Sequence, residues 1–190
     1  VTVEVWSDAP NLQEAADLFF DIIGADGFSF VRDLLDDEKP IPLMQQTVKL
    51  TSLPKHVVPL VRQMMKLTGQ DRARNLLGHG APSTSADSLM RTLFRRQAAE
   101  VALASAMAER GFDAILCPVT PIAAPTHGST IDMADFWSSA LAFNALGWPA
   151  GVAPVTTVSS REVPGPAKFR DQALQAVHDS QIGSAGLPVG

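Results

Sequence analysis

Cysteine occurs once in these 190 residues, tyrosine is absent, and only 6% of the chain is aromatic. The lone Cys117 excludes an intramolecular disulfide framework and a cysteine-rich metal site, and it fits a reducing compartment. His56, His79, His127 and His178 are too widely scattered for zinc-ligand spacing, so neither a metal nor a cofactor is expected. Gly183-Ser-Ala-Gly186 lacks the Lys-Ser/Thr that completes a phosphate loop. No stretch joins basic, apolar and small-residue cleavage regions as a signal peptide does, and no internal repeat is evident.

What is present suits a globular protein able to bury a sizeable core: 46% hydrophobic and 18% charged residues. The net charge of −5 conceals an uneven distribution. Residues 1–48 carry ten acids and two bases, residues 49–110 carry ten bases and four acids, and residues 111–190 return to −3. The middle third is therefore the candidate for anionic partners. Nucleic acid is a poor candidate, because these bases alternate with Leu, Val and Met and no nucleic-acid motif accompanies them.

Alternation over Val1 to Trp6 predicts a strand, and Asn11 with Glu14 has the form of a capping box opening a helix that Gly24 stops. This strand-to-helix unit points to the α/β class. Asp36, Asp37 and Glu38 before Pro40 and Pro42 read as a surface turn. Helices are predicted over 60–68, closed by Gly69, over 71–77, stopped by Gly78, and from Ser85 or Asp87 to Arg110. A buried strand is predicted over 113–117, a helix over 132–146, a strand over 152–158 and a helix over 170–179. Residues 136–160 hold no charged side chain, but Gly147, Pro149, Gly151 and Pro154 argue for an interior helix, turn and strand rather than a membrane span.

Three ordered segments carry a resemblance: Asp113-Ala-Ile-Leu-Cys117-Pro-Val-Thr-Pro121, Asn144-Ala-Leu-Gly147-Trp-Pro-Ala-Gly-Val-Ala-Pro-Val-Thr-Thr-Val158, and Ile182-Gly-Ser-Ala-Gly-Leu-Pro-Val-Gly190. Their succession resembles the C-terminal half of the amidase signature family, and the middle segment is closest to its fatty acid amide hydrolase branch. The resemblance implies an α/β fold with a mixed β-sheet core covered by α-helices. It implies hydrolysis of a carbon–nitrogen amide bond by two serines and a lysine. No glycine-flanked Ser-Ser loop of that kind is present; Ser138-Ser139 and Ser159-Ser160 lack flanking glycines and read as packing and turn residues. The chain, which opens at Val1 without an initiator Met, is thus expected to be a partial amidase domain over 1–190, truncated at both ends, with no catalytic residue and no activity alone.

By the same resemblance Ala134, Trp137 and Leu141 fall on positions lining an acyl channel, while helical periodicity alone favours Trp137 and Leu141 as core residues. Residues 51–80 resemble a membrane cap, with Leu60, Val61, Met64 and Met65 toward lipid and Arg62 and Lys66 toward headgroups, joined by Arg72 and Arg74; an ordinary solvated helix pair is the competing reading. The expected partners are a small-molecule amide, with a fatty acyl amide as the lipid form, a membrane surface contacted peripherally, and a second copy in a homodimer of the parent. The expected location is cytoplasmic, at or near a membrane surface. Two other readings stand beside this one: a non-catalytic lipid-binding or interaction protein, and an amidase for small non-lipid amides.

Overall fold

The computed structural model describes residues 2–36, 38–41, 45, 53–54, 56–79, 85–133, 136 and 138–190. Helices dominate: α1 (Leu12–Ile23), α2 (Ser29–Leu35), α3 (Val58–Thr68), α4 (Asp71–His79), α5 (Ala86–Arg110), α6 (Ser138–Leu146) and α7 (Gln172–Gln181). A 3-10 turn, Ser129–Asp132, precedes α6, and the strands β1 (Thr156–Thr157) and β2 (Pro188–Val189) form the one sheet among the described residues.

The Asn11 side chain caps α1 by accepting from Gln13 N at 3.0 Å. Glu14 does not complete a capping box but reaches across to Arg95 on α5, 3.0 Å away. The apolar stripe of α1 packs mainly on α6 and also on α5. There Ala15, Ala16, Leu103, Ala142 and Leu146 form a buried cluster, flanked by Trp6, Leu12, Ala99, Ile115, Leu141 and Trp148. Small alanines on α1 and α6 let the two backbones approach, and the larger leucines fill the remaining space. The uncharged run of residues 136–160 thus contributes α6 to a core; among the described residues no helix is long and apolar enough to cross a membrane.

Of the segments predicted as strands over 1–6 and 113–117, the described residues 2–6 and 113–117 are not in a ladder. Without a neighbouring strand among the described residues their backbone groups have no ladder partner, and side chains alone hold them. Trp6 stacks edge-on against Phe112 with ring centroids 5.2 Å apart. Ile115 turns inward, whereas Leu116 is exposed and Cys117 half-buried, so the predicted buried strand is corrected to an extended segment with one anchored side chain. Of 152–158 Thr156 and Thr157 are the strand residues, antiparallel to Val189 and Pro188.

Two further corrections concern helices. The predicted 132–146 helix starts at Ser138, preceded by the 3-10 turn that Gly128 enters at φ +83°. Gly78 does not stop α4: the helix runs through it to His79, and the Arg62 guanidinium lies against it, with Nη2 2.9 Å from where a Cβ would be. A glycine inside a helix costs about 1 kcal/mol relative to alanine, and here its bare Cα admits a neighbouring side chain.

A smaller cluster of Met133, Phe136 and Ala173 lies beneath α7. The polar end of α7 holds the proline-rich loop, since Gln181 Oε1 accepts from Ala123 N at 3.1 Å and Ser180 Oγ from Thr126 N at 2.9 Å.

Candidate functional site

The basic middle third of the sequence folds so that much of its charge is used within the chain. Arg95 pairs with Glu14, Arg110 with Asp8 at 2.5 Å, Arg91 with Asp87 at 2.8 Å, and Arg96 with Glu100 at 3.1 Å while its Nε donates to Ala145 O at the end of α6. Arg72 lies over the Phe136 ring, 4.2 Å from its centroid. That placement sets Arg72 against the cluster of Met133, Phe136 and Ala173 beneath α7.

What is left is a hairpin of two short helices, α3 and α4. Pro59 in the first turn of α3 has no N–H to leave unsatisfied, and Gly69 at φ +76° ends the helix. Gly69 N donates to Lys66 O at 3.2 Å and Gln70 N to Met65 O at 2.8 Å, the pair of bonds of a Schellman motif. Arg170 serves the last two carbonyls: its Nε donates to Thr68 O at 3.0 Å and its Nη2 to Leu67 O. A side chain at residue 69 would meet Arg170 Cδ at 2.8 Å, so glycine is required there by space as well as by φ.

Gln70 and Asp171 finish the attachment. Gln70 Nε2 donates to Arg170 O at 2.8 Å and its Oε1 accepts from Gln172 N at 2.9 Å. The buried Asp171 carboxylate faces two helix N-termini at once, Oδ1 accepting from Ala173 N and Leu174 N of α7 and Oδ2 from Arg72 N of α4. The sequence reading had placed the start of α7 at Arg170; an aspartate just before an amphipathic run is the signal that marks Asp171 as its cap.

Of the residues expected to face lipid, Leu60 and Met64 are 63% and 58% exposed, and Leu67 is 66% exposed. Their spacing of four and three puts them on one stripe of α3. Val61 and Met65 are half-buried and stand apart from that stripe. Arg62 and Lys66 are exposed and line a cleft of about 310 Å³ with Val58, Pro59, Gln63 and Arg74. Of the expected channel residues, Leu141 is half-buried and packs on the α1–α5–α6 cluster, while Ala134 and Trp137 lie outside the described residues.

A larger, apolar cleft of about 730 Å³ runs between the end of α1, α2 and the start of α5, lined by Ile22, Ile23, Phe28, Phe30, Leu89 and Leu93 among others. Its one carboxylate, Asp26, is occupied with α2: Oδ1 accepts from Phe28 N at 2.8 Å and Oδ2 from Phe30 N at 2.9 Å, which holds its pKa below the ordinary 3.8.

His79 at the end of α4 stands between two carboxylates of α1, 3.6 Å from Asp17 and 3.4 Å from Asp21. Burial raises the Asp21 pKa, with His79 and Arg95 opposing. Among the described residues no group of three His, Cys, Asp or Glu side chains is placed to hold a metal ion.

The three sequence segments that carry the resemblance meet in space. Val155 N donates to Val189 O at 2.8 Å, Val158 N to Leu187 O at 2.9 Å, and Val119 N to Gly190 O at 3.4 Å. The Amidase family matches the chain over residues 1–190. This chain belongs to the Amidase family. No curated protein matches it. Membership gives amide-bond hydrolysis as the kind of chemistry this amidase-family chain serves. Ser159 of the second Ser-Ser pair is engaged locally: its Oγ accepts from Arg161 N at 3.3 Å, and its own N donates to Glu162 at 2.7 Å.

Proposed function

We propose that the parent enzyme hydrolyses the carbon–nitrogen bond of a fatty acyl amide while resting on a membrane surface, and that residues 1–190 supply fold, substrate wall and membrane contact rather than the Ser-Ser-Lys chemistry. Family membership supports the amide-hydrolase part. The lipid part is carried by the exposed stripe of Leu60, Met64 and Leu67 on α3. Three large apolar side chains left in water on one face, with Arg62 and Lys66 on the same helix, match the character of an interfacial helix. A substrate whose acyl chain partitions into the bilayer would reach such an enzyme from the membrane side. By the resemblance, the acyl chain would run past Ala134, Trp137 and Leu141.

The full-length enzyme should hydrolyse long-chain acyl amides with a higher kcat/KM than acetamide-sized ones, and should co-sediment with zwitterionic vesicles. Changing Leu60, Met64 and Leu67 to Ser should abolish co-sedimentation and leave turnover of a short soluble amide unaltered. Equal kcat/KM across chain lengths, or co-sedimentation indifferent to the three changes, would overturn the reading.

A further inference from the structure

We infer that the cleft between α3 and α4 is a binding site for a phosphate group carried on an organic ester. The cleft is lined by Arg62, Lys66 and Arg74, with Gln63 beside them, and no carboxylate lines it. Arg62 and Lys66 have no ion-pair partner among the described residues, in contrast to the arginines of α5, which are paired. Arg74 is only partly engaged. Its Nη2 is 3.3 Å from Asp71, a carboxylate that is 62% exposed and so screened by water, and its buried Nε–H has no acceptor.

The geometry suits a tetrahedral dianion better than a carboxylate. One guanidinium fork satisfies a carboxylate's two oxygens, whereas two guanidinium groups, an ammonium and an amide can donate to oxygens pointing in several directions. Holding three like charges around one hollow is unfavourable until a counter-charge enters, and a doubly charged phosphate brings more of it than a carboxylate does. Gly78 is part of the arrangement. Its bare Cα lets the Arg62 guanidinium lie against α4 instead of extending into water, which sets the charge at the cleft wall. A volume of about 310 Å³ also exceeds a bare phosphate and falls at the lower end of small-molecule sites. Val58 and Pro59 give the remaining space an apolar edge, fit for the group esterified to the phosphate.

A soluble phosphate ester and a phospholipid headgroup both present that group, and the inference does not rest on the membrane reading. Titrate the full-length protein with inorganic phosphate at low ionic strength, following binding by calorimetry. Saturable binding is expected, weakened about tenfold or more in the double variant Arg62→Gln, Lys66→Gln, and preserved in Arg91→Gln, which removes a paired cation on α5. Arg62 and Lys66 are exposed, so the double variant should keep its circular dichroism spectrum. Glycerol 3-phosphate then separates the sources from phosphatidylcholine vesicles with and without phosphatidic acid. Competition by glycerol 3-phosphate assigns a soluble ester, and co-sedimentation that needs both phosphatidic acid and Arg62 assigns a headgroup. No saturable phosphate binding, or binding weakened equally by Arg91→Gln, would sink the inference.

Discussion

Where α1 meets α5 and α6, Ala15, Ala16, Leu103, Ala142 and Leu146 are each no more than 2% exposed, whereas α3 and α4 contain no buried residue at all. The first region is held by exclusion of water from apolar surface, which is non-directional. The second is held by directed bonds from Arg170, Gln70 and Asp171. Such bonds between partly hydrated groups contribute about 1 kcal/mol each, against roughly 1.5–3 kcal/mol for one fully buried aliphatic side chain. The helix pair that carries the exposed stripe and the basic cleft is thus the part able to open without unfolding the rest.

The strongest challenge to that contrast is Leu103→Ala. A cavity in the only buried position of a 25-residue helix should lower global stability by about 2–5 kcal/mol, read from the urea midpoint. A loss within experimental error would mean that the α1–α5–α6 cluster is not a core.

Next in size is Asp171→Ala, which removes a cap from α7 and an acceptor from α4, at about 0.5–2 kcal/mol for the cap alone. Hydrogen exchange should quicken in the first turns of α4 and α7 and stay unchanged in α1. If α1 quickens equally, the two regions unfold as one and the comparison fails.

The smallest effect is electrostatic and sharpens the contrast within the first region. Asp26, held below 3.8 by backbone N–H donors, adds stability that is present above the unfolded value and is lost as pH falls through its lowered folded value. Asp21, raised by burial, runs the other way: the native state binds the proton more tightly, so acidification through its raised folded value favours folding until the unfolded carboxylate also protonates near 3.8. Hence Asp26→Asn should destabilise α2 at neutral pH, and the difference from wild type should vanish in strong acid. A difference that is constant with pH would show that the carboxylate charge plays no part.

These contrasts also explain what the sequence could and could not reveal. The start at Asn11 and the stops at Gly69 and Gly111 were legible, because a cap is a contact between near neighbours. The basic character of α3 was legible from its residue types alone, whereas the exposure of Leu60, Met64 and Leu67 but not of Val61 and Met65 was not. Gly78 misled because its purpose is the approach of Arg62 from another helix, and α2 was missed because Asp26 caps it through a left-handed Phe28 at φ 59°. Arg170 and Asp171 act on residues about 100 positions away, and no local pattern encodes that. The strands at residues 2–6 and 113–117 failed for a related reason: alternation states a preference for extended backbone but cannot provide the partner that makes it a sheet.

The carboxylate of Asp171 has a bearing on the order of events at the ribosome. Its contact to Arg72 spans 99 positions. At roughly 5–20 residues per second of synthesis, α3 and α4 emerge some seconds before the side chains that fasten them exist. During that interval the stripe of Leu60, Met64 and Leu67 belongs to a segment not yet fastened to α7 and open to a chaperone or a bilayer.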